Sequence, residues 1–356
     1  MKVAPIHRAF QKYSEAVRHL IVHTGQHYDY KMSDAFFQDL DMPDPAYFLN
    51  IGSGSHAEQT AKVMMEFEKI CIEVKPDLVI VVGDVNSTIA AALSAVKLGI
   101  KVAHVEGGLR SGDRTMPEEI NRVATDAICN YCFVTEPSAI ENLNKENFPS
   151  EKVFNVGNTM IDSQVYALPK TKNSRVLEAN NLNPQEYVLT TLHRPSNVDD
   201  KNQLEMLLKV CAYLSKFRKV VFPIHPRTLK HIDEFGLTDL IKDNENILFL
   251  EPLGYVDFLT LMKSSDFVMT DSGGIQEETT ALGVHCLTLR TTTERPITVE
   301  LGANQLILPE HDNIISAIDG MIQKERKQGE APALWDGKAA ERICSIIVKD
   351  ILFAEE

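Results

Sequence analysis

Several apolar stretches of this chain end on residues that could do chemistry. VIVVGD ends in Asp84, and KVAHVEG carries Glu106 just ahead of Gly107 and Gly108. After Arg110 and Asp113, the segment MPEEINR sets Glu118 and Glu119 behind Pro117. Clustered carboxylates raise one another's pKa, and burial raises it further, which suits a general acid working with a general base. The plainer alternative makes Glu118 and Glu119 helix N-terminal carboxylates favoured by the dipole, and Asp84 a cap. We adopt the plain reading for Glu119 and the functional one for Asp84 and Glu106.

The later half ends its runs in donors. TTLHRPSN places His193 and Arg194 after one run, and VFPIHPRT places His225 and Arg227 after another. Two solvated loops stopped by Pro195 and Pro226 would explain the pattern equally simply. The sharper feature is VMTDSGGIQEETTALG, residues 268–283. An apolar run enters Asp-Ser-Gly-Gly and then a helical pattern. Glycines admit close backbone approach, and a helix N-terminus offers unpaired N–H groups to an anion. Ser272, Gly273 and Gly274 therefore read as a phosphate cradle without a Walker lysine. Glu278, one turn inside the helix, could take both hydroxyls of a ribose. Arg295, within RTTTERP, could add a charge-assisted contact to a diphosphate.

These residues need a scaffold that brings strand ends together. Eleven short apolar runs alternate with amphipathic stretches along the chain. Most runs are β-branched or aromatic and continuous, as in strands buried on both faces of a parallel sheet. Helical patterns fall between them, for example at 56–74, 88–99, 117–128, 204–217 and 255–265. Alternation of this kind predicts an α/β chain of doubly wound units, with ligands outside the carboxyl ends of the strands. A polar stretch at about 164–186 reads as a linker with a short helix. It divides the chain into residues 1–165 and 166–335, and the amphipathic segment 336–356 is expected to fold back on the first part.

Composition narrows the function. With 356 residues, the chain has room for two domains. A net charge of −14 disfavours nucleic acid and anionic lipid as partners. The six cysteines include one CxxC, Cys129 and Cys132, with no second pair, so they read as thiols of a reducing compartment and not as a zinc or haem site. The start MKVAPIHRAFQKY lacks the apolar core of a signal peptide, and no run is long enough to insert in a membrane, so the expected location is the cytoplasm.

The motifs HTGQHYD, GDVNST, HVEGGLRSGDRTMPEEINR, VGNTMID, TLHRPSN, TDSGGIQEE and RTTTERP resemble the UDP-N-acetylglucosamine 2-epimerase family over nearly the whole chain. The resemblance implies two Rossmann-like domains facing a cleft in the manner of GT-B glycosyltransferases, with the nucleotide held mainly by the second. It implies Asp84, Glu106 and Glu118 as catalytic carboxylates, with His193 also in the catalytic set. It implies a substrate site that includes Lys2, Arg110, His193, Arg194, Ser272, Gly273, Gly274, Glu278 and Arg295. The reaction would eliminate UDP to a 2-acetamidoglucal and add it back with the opposite configuration at C2. Neither metal nor another cofactor is required, and a homodimer is expected. Gln26, His27 and His225 match a second, activating substrate pocket, but the stretch NIGSGSHAEQ lacks the arginine that regulated members carry there.

One departure concerns the start. Members normally begin with a strand and a GTRPE-type loop, of which Lys2 alone has a counterpart here. Strands beside that position should be left with unpaired edges. Adding about 15 residues, one strand and its loop, is expected to raise soluble yield and turnover. Other readings stay open: an epimerase of a UDP-diacetamido-uronic acid, disfavoured by Gly157-Asn158; a hydrolysing epimerase; a GT-B glycosyltransferase; and a non-catalytic nucleotide-sugar binder.

Overall fold

The computed structural model describes residues 1–25, 37–242, 244–324 and 326–352. It divides into two compact units, Met1–Tyr166 with Ala333–Glu356, and Ala167–Pro332. Each is a layered α/β body with its own parallel sheet, so the predicted fold class holds.

In the first unit, strands β1 (Val22–His23) and β2 (Tyr47–Phe48) form a short parallel pair. Strands β3 (Leu78–Val82), β4 (Lys101–Val105), β5 (Tyr131–Val134) and β6 (Val153–Asn155) form a separate four-stranded parallel sheet in that order. The helix His56–Val74 begins at Ser55, whose hydroxyl and Glu58 build a reciprocal capping box, and ends at Lys75 in the left-handed region. Segment Ala339–Ile346 continues as a π-helix over Ile347–Leu352. Ile343, Cys344 and Ile347 pack in one cluster with Ile6, Phe10 and Phe133. Asp162 accepts the first amides of that segment, Ala339 at 3.0 Å and Ala340 at 2.7 Å.

β4 and β5 are buried along almost their whole length, whereas β3 alternates buried and half-buried residues. The reason lies beside it. Among the described residues β3 pairs on one edge only, and a cavity of about 1000 Å³ lies against it. Apolar side chains from several elements line this cavity, including Leu20, Val22, Phe67, Ile80 and Ile351.

The second unit carries a six-stranded parallel sheet. Its strands are β7 (Tyr187–Thr191), β8 (Lys219–Pro223), β9 (Ile247–Leu250), β10 (Phe267–Thr270), β11 (Cys286–Leu289) and β12 (Asn304–Ile307). They are ordered β12-β11-β10-β7-β8-β9. The chain winds outward from β7 in one direction and then from β10 in the other, so the order reverses between these two central strands. Ligands of open parallel sheets bind at such a reversal. The stretch read as a linker is mostly helical, with turns at Leu168–Asn173 and Val176–Ala179. Among the described residues no helix is long and apolar enough to cross a membrane.

Candidate active site

In the first unit, parallel β3 and β4 deliver their last residues side by side, with Val82 opposite Val105. Gly83 and Asp84 follow β3, and Glu106 follows β4. Gly83 has φ +75°, and Glu106 has φ +71° although it carries a side chain. A non-glycine residue held there costs about 1–3 kcal/mol and persists where its surroundings fix it. The Glu106 amide donates to the Phe133 carbonyl at 2.9 Å, and its buried carboxylate pairs with Lys2. Glu106 Oε2 lies 3.5 Å from where a Cβ on Gly83 would sit, so this acid abuts the turn that bears Asp84. Gly108 is required by space, because a Cβ there would lie 2.5 Å from the Ala139 carbonyl oxygen.

The helix Pro117–Ile128 closes the group. Asn121 donates to the Asp84 carbonyl at 3.0 Å. Arg122, almost wholly buried, pairs with Asp84 on one side and Glu119 on the other. Glu119 also accepts the Ser111 and Gly112 amides, each at 3.0 Å. Burial would raise its pKa, but these amides and Arg122 hold it below the ordinary glutamate value. Glu119 thus fixes the loop ahead of its helix, and Glu118 lies half-buried beside it in the first turn. The sequence suggested carboxylates perturbing one another. The structure instead interleaves cations, Lys2 with Glu106 and Arg122 between Asp84 and Glu119, which offset like-charge repulsion.

Arg110, an expected substrate contact, is engaged by two carboxylates of its own unit. It binds Glu146 through Nε at 2.8 Å and Nη2 at 2.6 Å, and Asp126 through Nη1 at 2.7 Å. Asp126, Cys129 and Cys132 also lie within 4.8 Å of one another. The carboxylate is already engaged by Arg110 and His104, and the hydrogen bond with Cys129, together with burial, pushes the Cys132 thiol far up. A metal centre would need the thiolates and the carboxylate released from these roles.

In the second unit, the reversal between β7 and β10 carries the expected donors. Thr191 and Thr270, paired across the strands, lead to His193 and to Asp271. Asp271 is fully buried and was not singled out from sequence. It accepts the His193 amide at 3.0 Å, the Arg194 amide at 2.9 Å and the Asn197 side chain at 3.2 Å. His193 Nδ1 lies 2.9 Å from the same carboxylate. Burial raises the Asp271 pKa, but His193 and the loop amides outweigh it and hold the group below its ordinary value. The His193–Arg194 loop is therefore anchored to the residue just before the Ser-Gly-Gly turn.

Ser272 occupies the N-cap position of the helix Gly273–Leu282 without a side-chain capping bond, and Ser272 and Gly274 are half-buried, in reach of solvent. A Cβ on Gly273 would lie 2.6 Å from Glu294 Oε1, with Arg290 and Arg295 Nη1 atoms each at 3.7 Å. Arg295 binds Glu294 at 2.7 Å and Glu277 at 2.5 Å, so this predicted phosphate ligand is held by two buried carboxylates behind the turn. Glu278 is buried and receives the Tyr255 hydroxyl at 2.5 Å. Burial raises its pKa to about 7 against that hydrogen bond, with Glu277 adding to the rise. His225 is exposed at the N-cap of Pro226–Glu234, its ring 5.7 Å from that of His193. Gln26 and His27 lie outside the described residues.

Asp126, His104, Arg122 and Asp271 are the site-supporting residues that sequence reading passed over. Arg122 carried a signal, its spacing of three from Glu119 on one helix face. Asp271 carried another, its place at the strand end ahead of Ser272.

Comparison with known proteins identifies the family. A model of the family described as UDP-N-acetylglucosamine 2-epimerase matches residues 9–348. The chain is 44% identical over 352 residues to the UDP-N-acetylglucosamine 2-epimerase of Methanocaldococcus jannaschii, covering 98% of this chain and 95% of that one. It is 36% identical to the UDP-2,3-diacetamido-2,3-dideoxy-D-glucuronate 2-epimerase of Pseudomonas aeruginosa, with 94% and 92% covered. The crystal structure of the M. jannaschii enzyme in complex with UDP-GlcNAc and UDP aligns with a TM-score of 0.90 over 98% of this chain and 96% of that one, at 44% identity.

Proposed function

The chain belongs to the UDP-N-acetylglucosamine 2-epimerase family, and on that premise we propose that it interconverts UDP-N-acetylglucosamine and UDP-N-acetylmannosamine. The observation that carries the reading is the turn pair of the first unit. Asp84 and Glu106 follow neighbouring strands, Asp84 beside the buried Arg122 and Glu106 beside the half-buried Lys2, with Glu118 on the helix that braces them. Epimerisation at C2 needs acid–base groups for both faces of one carbon, and three carboxylates can supply them.

The proposed chemistry begins when a carboxylate takes the C2 proton. The C1–O bond breaks, and UDP leaves with its electron pair, giving a 2-acetamidoglucal. The Ser272–Gly274 turn and the helix behind it would stabilise the developing diphosphate charge, with His193 positioned by Asp271 to contribute. Glu278 would accept the ribose hydroxyls. UDP oxygen then adds back to C1 while a protonated carboxyl delivers a proton to the other face of C2. Lys2 and Arg194 complete the substrate set, and Arg295 supports the diphosphate from behind the turn. No cofactor enters the scheme. The proposal extends to a cytoplasmic homodimer that supplies a surface polysaccharide or another glycan.

NMR of the products separates this reading from its rivals. Intact UDP-N-acetylmannosamine is expected from UDP-N-acetylglucosamine. Free N-acetylmannosamine with UDP would indicate a hydrolysing enzyme. Turnover of the diacetamido-uronic acid substrate alone would move the assignment to the Pseudomonas-like activity.

A further inference from the structure

His104 lies on β4, two residues before Glu106, and is fully buried. Its Nε2 is 2.8 Å from the Gly83 carbonyl oxygen, and its Nδ1 is 2.6 Å from Asp126 Oδ1. Both neighbours are acceptors, so both contacts are hydrogen bonds when both ring nitrogens carry protons. Asp126, on the helix Pro117–Ile128 and 1% exposed, uses its other oxygen to accept the Gly108 amide at 2.9 Å and Arg110 at 2.7 Å. A continuous polar chain therefore runs from the Gly83 turn, through His104 and Asp126, to the Gly108–Arg110 turn. Gly83 immediately precedes Asp84, and Gly108 follows Glu106 by two residues. Gly83 and Glu106 both hold positive φ, a conformation that needs fixing from outside.

The groups facing the ring support its charge. Burial works against it, but Asp126 outweighs burial, and with help from Cys129 and the Gly83 carbonyl the imidazole is raised to about 9. Asp126 in turn faces His104, Arg110 and Cys132, and is held below its ordinary value although burial opposes this.

We propose that His104 and Asp126 are a positioning pair, a buried imidazolium–carboxylate strut that fixes the Asp84 and Glu106 turns relative to each other for proton transfer. This rests on the function proposed above. The pair acts through the two turns and not by contact with the sugar. It differs from a merely stabilising ion pair in having separable ends.

Two substitutions separate them. His104→Asn keeps a nitrogen near the Nδ1 position and loses the Gly83 tether. His104→Gln reaches the Nε2 position and keeps it. In the Asn variant, kcat with UDP-N-acetylglucosamine should fall by about ten- to a hundred-fold at nearly unchanged KM, as small misplacements of reacting groups do. The Gln variant, which keeps the Gly83 contact but gives up the Asp126 end, should fall comparably, because a strut works only when both ends are held. Lowered melting temperatures in both variants, with kcat per folded molecule as in the unsubstituted protein, would overturn the proposal. A second measurement needs neither variant nor turnover. Nitrogen-15 NMR of the unsubstituted protein should show the His104 ring doubly protonated at about pH 8, beyond the range of an ordinary histidine. A neutral ring would overturn the strut. Absence of epimerase turnover in the unsubstituted protein would instead sink the function reading, and the ring measurement would still decide the strut.

Discussion

Glu278 follows Asp271 by only seven residues, yet the two solve opposite electrostatic problems. Asp271 is surrounded by donors and stays ionised, which lets it orient the His193 ring and its loop. Glu278 has Tyr255 as a donor but Glu277 as a neighbour, and burial lifts it to about 7. The sign of the consequence follows from linkage. A carboxyl raised above its ordinary 4.5 adds stability that is fully present below that value and is lost as pH rises through about 7. Ribose recognition runs the other way, because two hydroxyl donors need the ionised form. UDP-N-acetylglucosamine has no group that titrates in this window. Its Kd, measured by calorimetry, should be about five- to ten-fold weaker at about pH 6 than at about pH 8. Glu278→Gln should flatten that dependence. A flat profile in the unsubstituted protein would remove Glu278 from the ribose. At this scale the sequence was most legible where a residue type and a strand end coincided, as at Asp84, Glu106 and Ser272. It was least legible for partners joined only in three dimensions. His104 and Asp126 stand twenty-two positions apart, and Arg110 binds Glu146 across thirty-six.

The elements follow the apolar pattern closely. Each of the eleven runs contains one strand, because a continuous β-branched stretch between two helical layers has few other ways to bury itself. The pair Tyr47–Phe48 escaped notice, being two residues long within the short run AYFL. The helix Lys201–Leu214 begins three residues before the apolar pattern does, because the Asp200 side chain caps it by accepting the Gln203 amide at 2.9 Å. Among the described residues β3 is paired on one edge only, and its burial alternates beside an apolar cavity of about 1000 Å³. Such a slot should bind the dye ANS in native buffer, as exposed apolar surface does. No dye binding by the folded protein would contradict the reading of this slot.

In the molecule as a whole, two bodies with separate cores divide the labour. The first carries the cation-braced carboxylates at the ends of β3 and β4. The second carries an anion-ready helix terminus at the reversal of its sheet. The acidic chain, at net charge −14, can take an anionic ligand because its donors are local, namely backbone amides, His193 and buried guanidinium groups. The proposed reaction turns on proton exchange at one carbon of an intact nucleotide sugar. The direct measurement is to incubate the protein with UDP-N-acetylglucosamine in deuterated water and follow C2 by proton NMR. Deuterium should enter C2 of both the substrate and the newly formed UDP-N-acetylmannosamine. Retention of the C2 proton after prolonged incubation with folded protein would contradict the account.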